Sequence, residues 1–85
     1  MPHVVVKMKA GRTEEMKRLL AERLTEAIVG ALGCEEQAVS IAVVDVPPER
    51  WSADVYEPEI AGKLDTLYKK PGYWSGAKRS CKMNA

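Results

Sequence analysis

The sequence is short of the residues on which many metal and catalytic sites depend. Its 85 residues include one histidine, two cysteines and no phenylalanine, and aromatic residues make up 6% of the chain. A single histidine leaves histidine-based metal clusters and a Ser-His-Asp triad without support. The two cysteines, Cys34 and Cys81, form neither a disulfide framework nor a metal-binding knuckle. We therefore expect no metal site, and a reducing, cytoplasmic compartment.

An excess of one charge and a long apolar run are also missing. The formal net charge is +1, from 13 Lys+Arg against 12 Asp+Glu, which argues against a nucleic-acid partner. No apolar run approaches the roughly 18 residues of a membrane span, and no signal-peptide pattern opens the chain. No glycine-rich phosphate loop is present. The composition, 46% hydrophobic and 29% charged, is typical of one soluble globular domain with no membrane partner.

The first half of the chain predicts a strand, a helix and a second strand. Residues 3–9 are rich in β-branched side chains, and Thr13 is a good N-cap for the helix that follows. Apolar residues then recur at helical spacing as far as Gly33, a predicted C-cap. Residues 39–46 are apolar on both faces, which predicts a central strand with the helix over one face. Short connections make this a βαβ unit with parallel strands and a right-handed crossover.

The second half predicts a weaker helix and an extension. Residues 74–85 are interpreted as a C-terminal extension of the single domain formed by residues 1–73. One helix covers only one face of the sheet, and a domain this short buries about two thirds of its surface, so we expect a homo-oligomer. The fold class is therefore α/β (α+β), a single βαβ subunit completed by oligomerisation. The second helix is predicted to have Pro58 near its start and to run through Ile60, Ala61, Leu64, Leu67 and Tyr68.

Pro2 stands out among the individual residues. Initiator methionine is normally removed before a proline, which would make Pro2 the mature N-terminus with a free secondary amine. Such α-amino groups titrate near pH 8, and burial beside a cation lowers that value, so the amine can serve as a neutral base. The alternative is an unremarkable Met-Pro start, which general experience with single motifs favours.

Several motifs together resemble the tautomerase superfamily, in particular its small 4-oxalocrotonate-tautomerase-like subunits. This resemblance covers residues 2–73. It rests on Pro2 opening a strand, on Gly11-Arg12-Thr13 before the helix, and on the strand sequence Val39-Ser40-Ile41. The chain is most similar to the dimeric bacterial phenylpyruvate-type subgroup, although residues 74–82 separate the two motifs concerned. Those motifs are Lys69-Lys70-Pro71-Gly72-Tyr73 and Met83-Asn84-Ala85.

The resemblance implies a cofactor-independent enol–keto tautomerase acting on a 2-hydroxydienoate or an arylenolpyruvate such as phenylenolpyruvate. It implies that Pro2 is the catalytic proton shuttle, that Arg12 binds the substrate carboxylate, and that Trp51 walls the pocket. Ser40 lies where the hexameric archetype has a second arginine, and the dimeric subgroup also has a serine there, so a monocarboxylate enol is expected. The resemblance of residues 69–73 to the dimeric subgroup favours a dimer over a hexamer. Arg50 is either a substitute charge donor or a solvated side chain, and we favour the latter.

Alternatives remain open for the residues and for the function. Arg12 is equally well explained as a solvated residue before a helix, and Trp51 as a core or interface tryptophan. His3 either contacts substrate or faces solvent on the side opposite Pro2, and we favour solvent. A non-catalytic dimeric scaffold or binding protein is the alternative function, and retention of Met1 would favour it. A proline-dependent hydratase or dehalogenase is a further alternative.

Overall fold

The computed structural model describes residues 1–73, and the extension 74–85 lies outside the described residues. A first compact unit, Met1–Pro48, contains strand β1 (His3–Lys9), helix α1 (Glu14–Leu32) and strand β2 (Ser40–Val46). A second unit begins at Glu49. That all of these residues form a single domain stays a prediction.

The two strands pair in parallel, with His3 beside Ser40 at one end and Lys9 beside Val46 at the other. This confirms the predicted βαβ arrangement. Strand β2 begins one residue later than predicted, because the Val39 N–H donates to the Glu36 carbonyl at 3.1 Å and closes a short 3-10 turn. Among residues 1–73 the sheet has two strands, so a central position for β2 is expected only of an assembled sheet.

Both predicted ends of α1 are confirmed. At its start the Thr13 hydroxyl accepts a hydrogen bond from the Met16 N–H at 3.1 Å, and Glu14 lies in the positive first turn. At its end Gly33 adopts a left-handed conformation with φ 73°, and its N–H donates to the Val29 carbonyl at 2.9 Å. Glycine takes this conformation without the steric penalty of a Cβ atom.

An ion-pair cluster joins α1 to β2. The Lys17 ammonium lies 2.6 Å from a carboxylate oxygen of Asp45 and 3.0 Å from one of Glu14. The hydrogen bonds to Asp45 and then to Glu14 raise the pKa of Lys17 above its ordinary value. Because side chains alternate along a strand, Val43 lies on the same face of β2 as Asp45. Met8, the β1 residue that pairs with Asp45, lies on this face too. That face of the sheet is therefore the one that α1 covers.

Apolar surface remains widely exposed in the first unit. Among its residues only Val46 is buried, and the apolar side of α1 is at best half-buried. On the sheet face opposite α1, Val5 is 47% exposed and Val44 is 39% exposed. Helix α1 also leaves three large apolar side chains exposed, those of Met16, Leu19 and Leu32. Exposed apolar surface of this extent favours a partner subunit.

The predicted second helix is misplaced. The helical region begins earlier, at Ser52–Ile60, and continues as a 3-10 helix over Ala61–Thr66. Pro58 lies inside the first of these segments, which has π-helical hydrogen bonding, and not at its start. Proline has no N–H and its ring clashes with the carbonyl of an α-helical turn, so a wider turn accommodates it. Tyr68 lies beyond the helical region and is fully exposed rather than part of an apolar face.

Close contacts within the second unit fix this helical region. Val55 is buried, with 5% of its surface exposed. At Gly62 a Cβ atom would lie 2.8 Å from the Glu57 carbonyl oxygen, so only glycine allows the close turn. The Tyr56 and Tyr73 rings lie 6.0 Å apart between centroids in a tilted arrangement. Tyr73 thus anchors the end of the Lys-Lys-Pro-Gly-Tyr motif to the helical region.

Candidate active site

Pro2 lies immediately ahead of β1 and is half-buried. Its carbonyl accepts a hydrogen bond from the Ser40 N–H at 3.1 Å, which fixes its backbone to the start of β2. In the full sequence Met1 acylates the Pro2 nitrogen, and an amide nitrogen is not a base. The Met1 side chain is 99% exposed, so its removal would free the amine without disturbing a packed side chain.

Ser40 connects Pro2 to the imidazole of His3. The His3 Nδ1 atom lies 2.6 Å from the Ser40 hydroxyl oxygen, and both residues are exposed. They face each other across the parallel strands, so their side chains leave the same face of the sheet. His3 is exposed as expected, but this hydrogen bond was not predicted from the sequence. Its only available signal was the strand register, which places residues 3 and 40 side by side.

Arg12 follows the other end of β1. Gly11 precedes it with φ 135°, a backbone conformation that favours glycine. The Arg12 side chain is exposed, and its Nη1 donates a long hydrogen bond of 3.4 Å to the Lys9 carbonyl. A guanidinium has five N–H donors in a fixed fork, so this single bond leaves it able to bind a carboxylate.

The length of β1 separates Arg12 from Pro2. The strand has seven residues. At about 3.3 Å per residue, its two ends lie roughly 20 Å apart. A small substrate cannot contact both residues of one chain over that distance. The fold therefore fixes the Pro2 backbone to the Ser40 backbone and joins the Ser40 hydroxyl to His3, and it places Arg12 away from all three.

The remaining predicted residue, Trp51, lies in the second unit. It is half-buried and immediately precedes the Ser52–Ile60 segment. Its neighbour Arg50 pairs with Asp54, with nitrogen–oxygen distances of 2.8 and 3.3 Å. The hydrogen bond to Asp54, followed by its charge, raises the pKa of Arg50. Because Asp54 engages this guanidinium, the geometry argues against Arg50 as a charge donor to substrate. The role of Trp51 as a pocket wall stays a prediction.

Neither a metal-binding cluster nor a membrane-spanning helix is present among residues 1–73. Within residues 1–73, no three side chains among His, Cys, Asp and Glu are grouped so that they could hold a metal ion. Nor does this part of the chain contain a helix with the length and apolar character needed to cross a membrane. Cys34 is a half-buried free thiol, and Cys81 lies outside the described residues.

Comparisons with known proteins give the family of this chain. A family model described as "Tautomerase enzyme" matches residues 2–56. A probable tautomerase of Xylella fastidiosa is 44% identical over 73 residues, covering 86% of this chain and 89% of that protein. Tautomerase PptA of Cronobacter sakazakii is 43% identical over 74 residues, covering 86% of this chain and 97% of that protein.

The solved structures include a match from a study of the 4-oxalocrotonate tautomerase isozymes of Methylibium petroleiphilum. It has a TM-score of 0.58 and 38% identity, and it covers 59% of this chain and 81% of that one. The chain belongs to the tautomerase family, and its fold is that of 4-oxalocrotonate tautomerase. It is an isomerase, which confirms the enzyme prediction over the non-catalytic scaffold.

Proposed function

We propose that the enzyme interconverts the enol and keto forms of an arylenolpyruvate such as phenylenolpyruvate, with Pro2 as its proton shuttle. The observation that carries this proposal is the anchoring of Pro2. The Ser40 N–H donates to the Pro2 carbonyl at 3.1 Å, at the head of a strand and next to an exposed Met1. Removal of Met1 leaves a secondary amine on a rigid ring in a fixed position, as general base catalysis needs.

The proton transfers require no cofactor. The neutral Pro2 amine takes the proton from the enol hydroxyl, and the O–H bonding electrons form the C2 carbonyl. The electrons of the C=C bond then take a proton from the resulting prolinium at C3. Pro2 returns to its neutral form, so the substrate is isomerised with no net gain or loss of atoms.

Arg12 binds the substrate carboxylate in this proposal, and it does so from a second subunit. The separation of about 20 Å between the ends of β1 prevents one chain from using both of its own residues. A two-fold dimer supplies the arginine of one subunit to the proline of the other. The exposed Val5 and Val44 on the open sheet face favour this association.

A cytoplasmic location is expected from the low cysteine content.

Two further residues complete the proposed site. Ser40 has a neutral hydroxyl where the hexameric archetype has a positively charged arginine, and this difference favours substrates with one carboxylate over dicarboxylates. The family resemblance gives Trp51 the role of an apolar ring that excludes water from the amine. Exclusion of water favours the neutral form of an amine, because desolvation disfavours the charged form.

The test is ketonisation of phenylenolpyruvate, followed by ultraviolet absorbance with wild type and Pro2→Ala. Intact mass first establishes the N-terminus of both proteins. A proton shuttle contributes roughly a hundredfold or more, so kcat/KM should fall by at least that factor. Gln37→Ala is the control, because it removes an exposed hydrogen bond of 2.8 Å to Glu35. Equal rates for wild type and Pro2→Ala would exclude Pro2 as the base.

The same assay has a predicted pH dependence. The reaction needs the neutral amine, so kcat/KM should fall with decreasing pH as Pro2 becomes protonated in the free enzyme. An N-terminal amine ordinarily titrates at about pH 8, and an apolar site lowers that value. A rate that stays constant through mildly acidic pH would contradict the proposed role of Pro2.

A further inference from the structure

The strongest unassigned feature is the hydrogen bond between the exposed side chains of His3 and Ser40. The 2.6 Å separation joins His3 Nδ1 to the Ser40 hydroxyl oxygen. The Ser40 backbone is also fixed, because its N–H donates to the Pro2 carbonyl. With the backbone fixed, rotation of the side chain alone decides where the hydroxyl lies, and the bond to His3 holds that rotation.

Two proton arrangements fit this contact, and they differ in what Ser40 offers a ligand. A serine hydroxyl has one proton to donate and two lone pairs to accept with. If Nδ1 accepts the hydroxyl proton, Ser40 presents only lone pairs to an anionic substrate. If Nδ1 carries a proton and donates it, the Ser40 O–H remains available for a substrate oxygen. An anionic substrate selects the second arrangement.

We propose that His3 is a positioning residue of this enzyme, whose Nδ1–H donates to Ser40 and directs the Ser40 hydroxyl proton to the C2 oxygen of the substrate. This inference rests on the proposed enol–keto activity. Negative charge develops on the C2 oxygen when Pro2 takes the enol proton. A donor aimed at that oxygen stabilises the transition state more than the bound substrate.

Because the His3–Ser40 pair is exposed, an effect of its loss on catalysis can be distinguished from an effect on stability. Both side chains are exposed, and a hydrogen bond between exposed groups contributes little to stability. Loss of the pair should therefore change kcat and leave the unfolding temperature nearly unchanged. Arg12 differs, because it binds the carboxylate in both ground state and transition state, and its loss should raise KM.

A double-mutant cycle with a pair of matched histidine variants tests the inference. The cycle consists of wild type, His3→Ala, Ser40→Ala and the double variant. An asparagine at position 3 places an amide N–H where Nδ1 lies, whereas a glutamine places it where Nε2 lies. His3→Asn should therefore retain activity and His3→Gln should not. Gln37→Ala, which loses a similar exposed hydrogen bond, is the control.

The expected results are specific to a positioning role. His3→Ala and Ser40→Ala should each lower kcat by roughly tenfold or more, the effect of losing a hydrogen bond to a charged group. KM should change by less than about threefold, because the lost interaction forms mainly in the transition state. The double variant should be no slower than Ser40→Ala. His3→Asn should recover most of the lost kcat.

Three results would overturn the inference. They are an unchanged kcat in His3→Ala, fully multiplicative losses in the double variant, or equal activity of His3→Asn and His3→Gln. Pro2→Ala, assayed in parallel, distinguishes this failure from failure of the proposed function. A rate that depends on Pro2 but not on His3 removes only the positioning role. A rate that does not depend on Pro2 removes both proposals.

Discussion

The two ends of β1 differ in how firmly they are held. At the amino-terminal end the Pro2 carbonyl binds the Ser40 N–H, and the Ser40 hydroxyl binds His3. At the carboxyl-terminal end Arg12 is exposed and makes one long hydrogen bond to a backbone carbonyl. The chain's own fold therefore positions its candidate base, whereas its candidate carboxylate-binding residue is left available to another molecule. In the proposed dimer, each end of β1 carries half of a site.

The largest expected effect comes from acylating the Pro2 nitrogen. A variant with one serine inserted before Pro2, and with Met1 removed, converts the amine into an amide. We expect kcat/KM for phenylenolpyruvate to fall by about 10²- to 10⁴-fold, the usual contribution of a general base. The same serine added at the C-terminus is the control. Retention of the wild-type rate by the extended N-terminus would exclude the amine as the base.

The next largest effect is expected at the opposite end of the strand. Arg12→Ala should raise KM by roughly 10- to 100-fold, because a charge-assisted, forked contact with the carboxylate is lost. Arg12→Lys should lie between wild type and Arg12→Ala, since lysine keeps the charge without the fork. Steady-state kinetics of both variants measure this. An unchanged KM in Arg12→Ala would show that Arg12 is a solvated side chain that does not bind the substrate.

The two glycines with positive φ can be compared. Gly33→Ala places a Cβ atom in the left-handed conformation, at a cost of about 1–2 kcal/mol, whereas Gly11→Ala places one at φ 135°, outside that allowed region and more strained. Thermal unfolding should show a loss of stability for both variants, and the larger loss for Gly11→Ala. Only Gly11 adjoins Arg12, so only Gly11→Ala should also raise KM. An equal rise in KM for both variants would show that the effect does not depend on the position of Arg12.

The smallest effect is expected at the ion pairs of Lys17. Lys17→Met removes its contacts with Asp45 and Glu14 and should lower the unfolding temperature by at most about 5 °C. Because those contacts raise the pKa of Lys17 above 10.5, their stabilisation is complete below that pH.

The pH dependence of Lys17→Met provides the check. The stability difference from wild type should disappear as pH rises through the raised pKa. Unfolding at constant protein concentration, between neutral and strongly alkaline pH, measures this. A difference that persists at the most alkaline pH would contradict the assignment.

Local signals in the sequence were enough to predict the first unit. Thr13 and Gly33 end α1 as expected, because capping depends on a few neighbouring residues. Pro58 misled the prediction of the second helix. Proline is common at the first position of a helix, but here a π-helical turn holds it inside the segment.

Non-local contacts were beyond prediction from one sequence. His3 and Ser40 are 37 positions apart, and their hydrogen bond follows from the register of two strands. A shift by one residue would have placed the two side chains on opposite faces of the sheet. The separation of Pro2 from Arg12 likewise becomes evident only when the length of β1 is known.

Mixing two impaired variants, assayed at a substrate concentration well below the wild-type KM, tests the shared site most directly. Pro2→Ala subunits and Arg12→Ala subunits are combined, with exchange verified by native mass spectrometry. In a hybrid dimer one site lacks both residues and the other has both intact. The account predicts that ketonisation rises well above the sum of the two separate variants. A mixture that exchanges subunits yet remains as slow as its parents would contradict it.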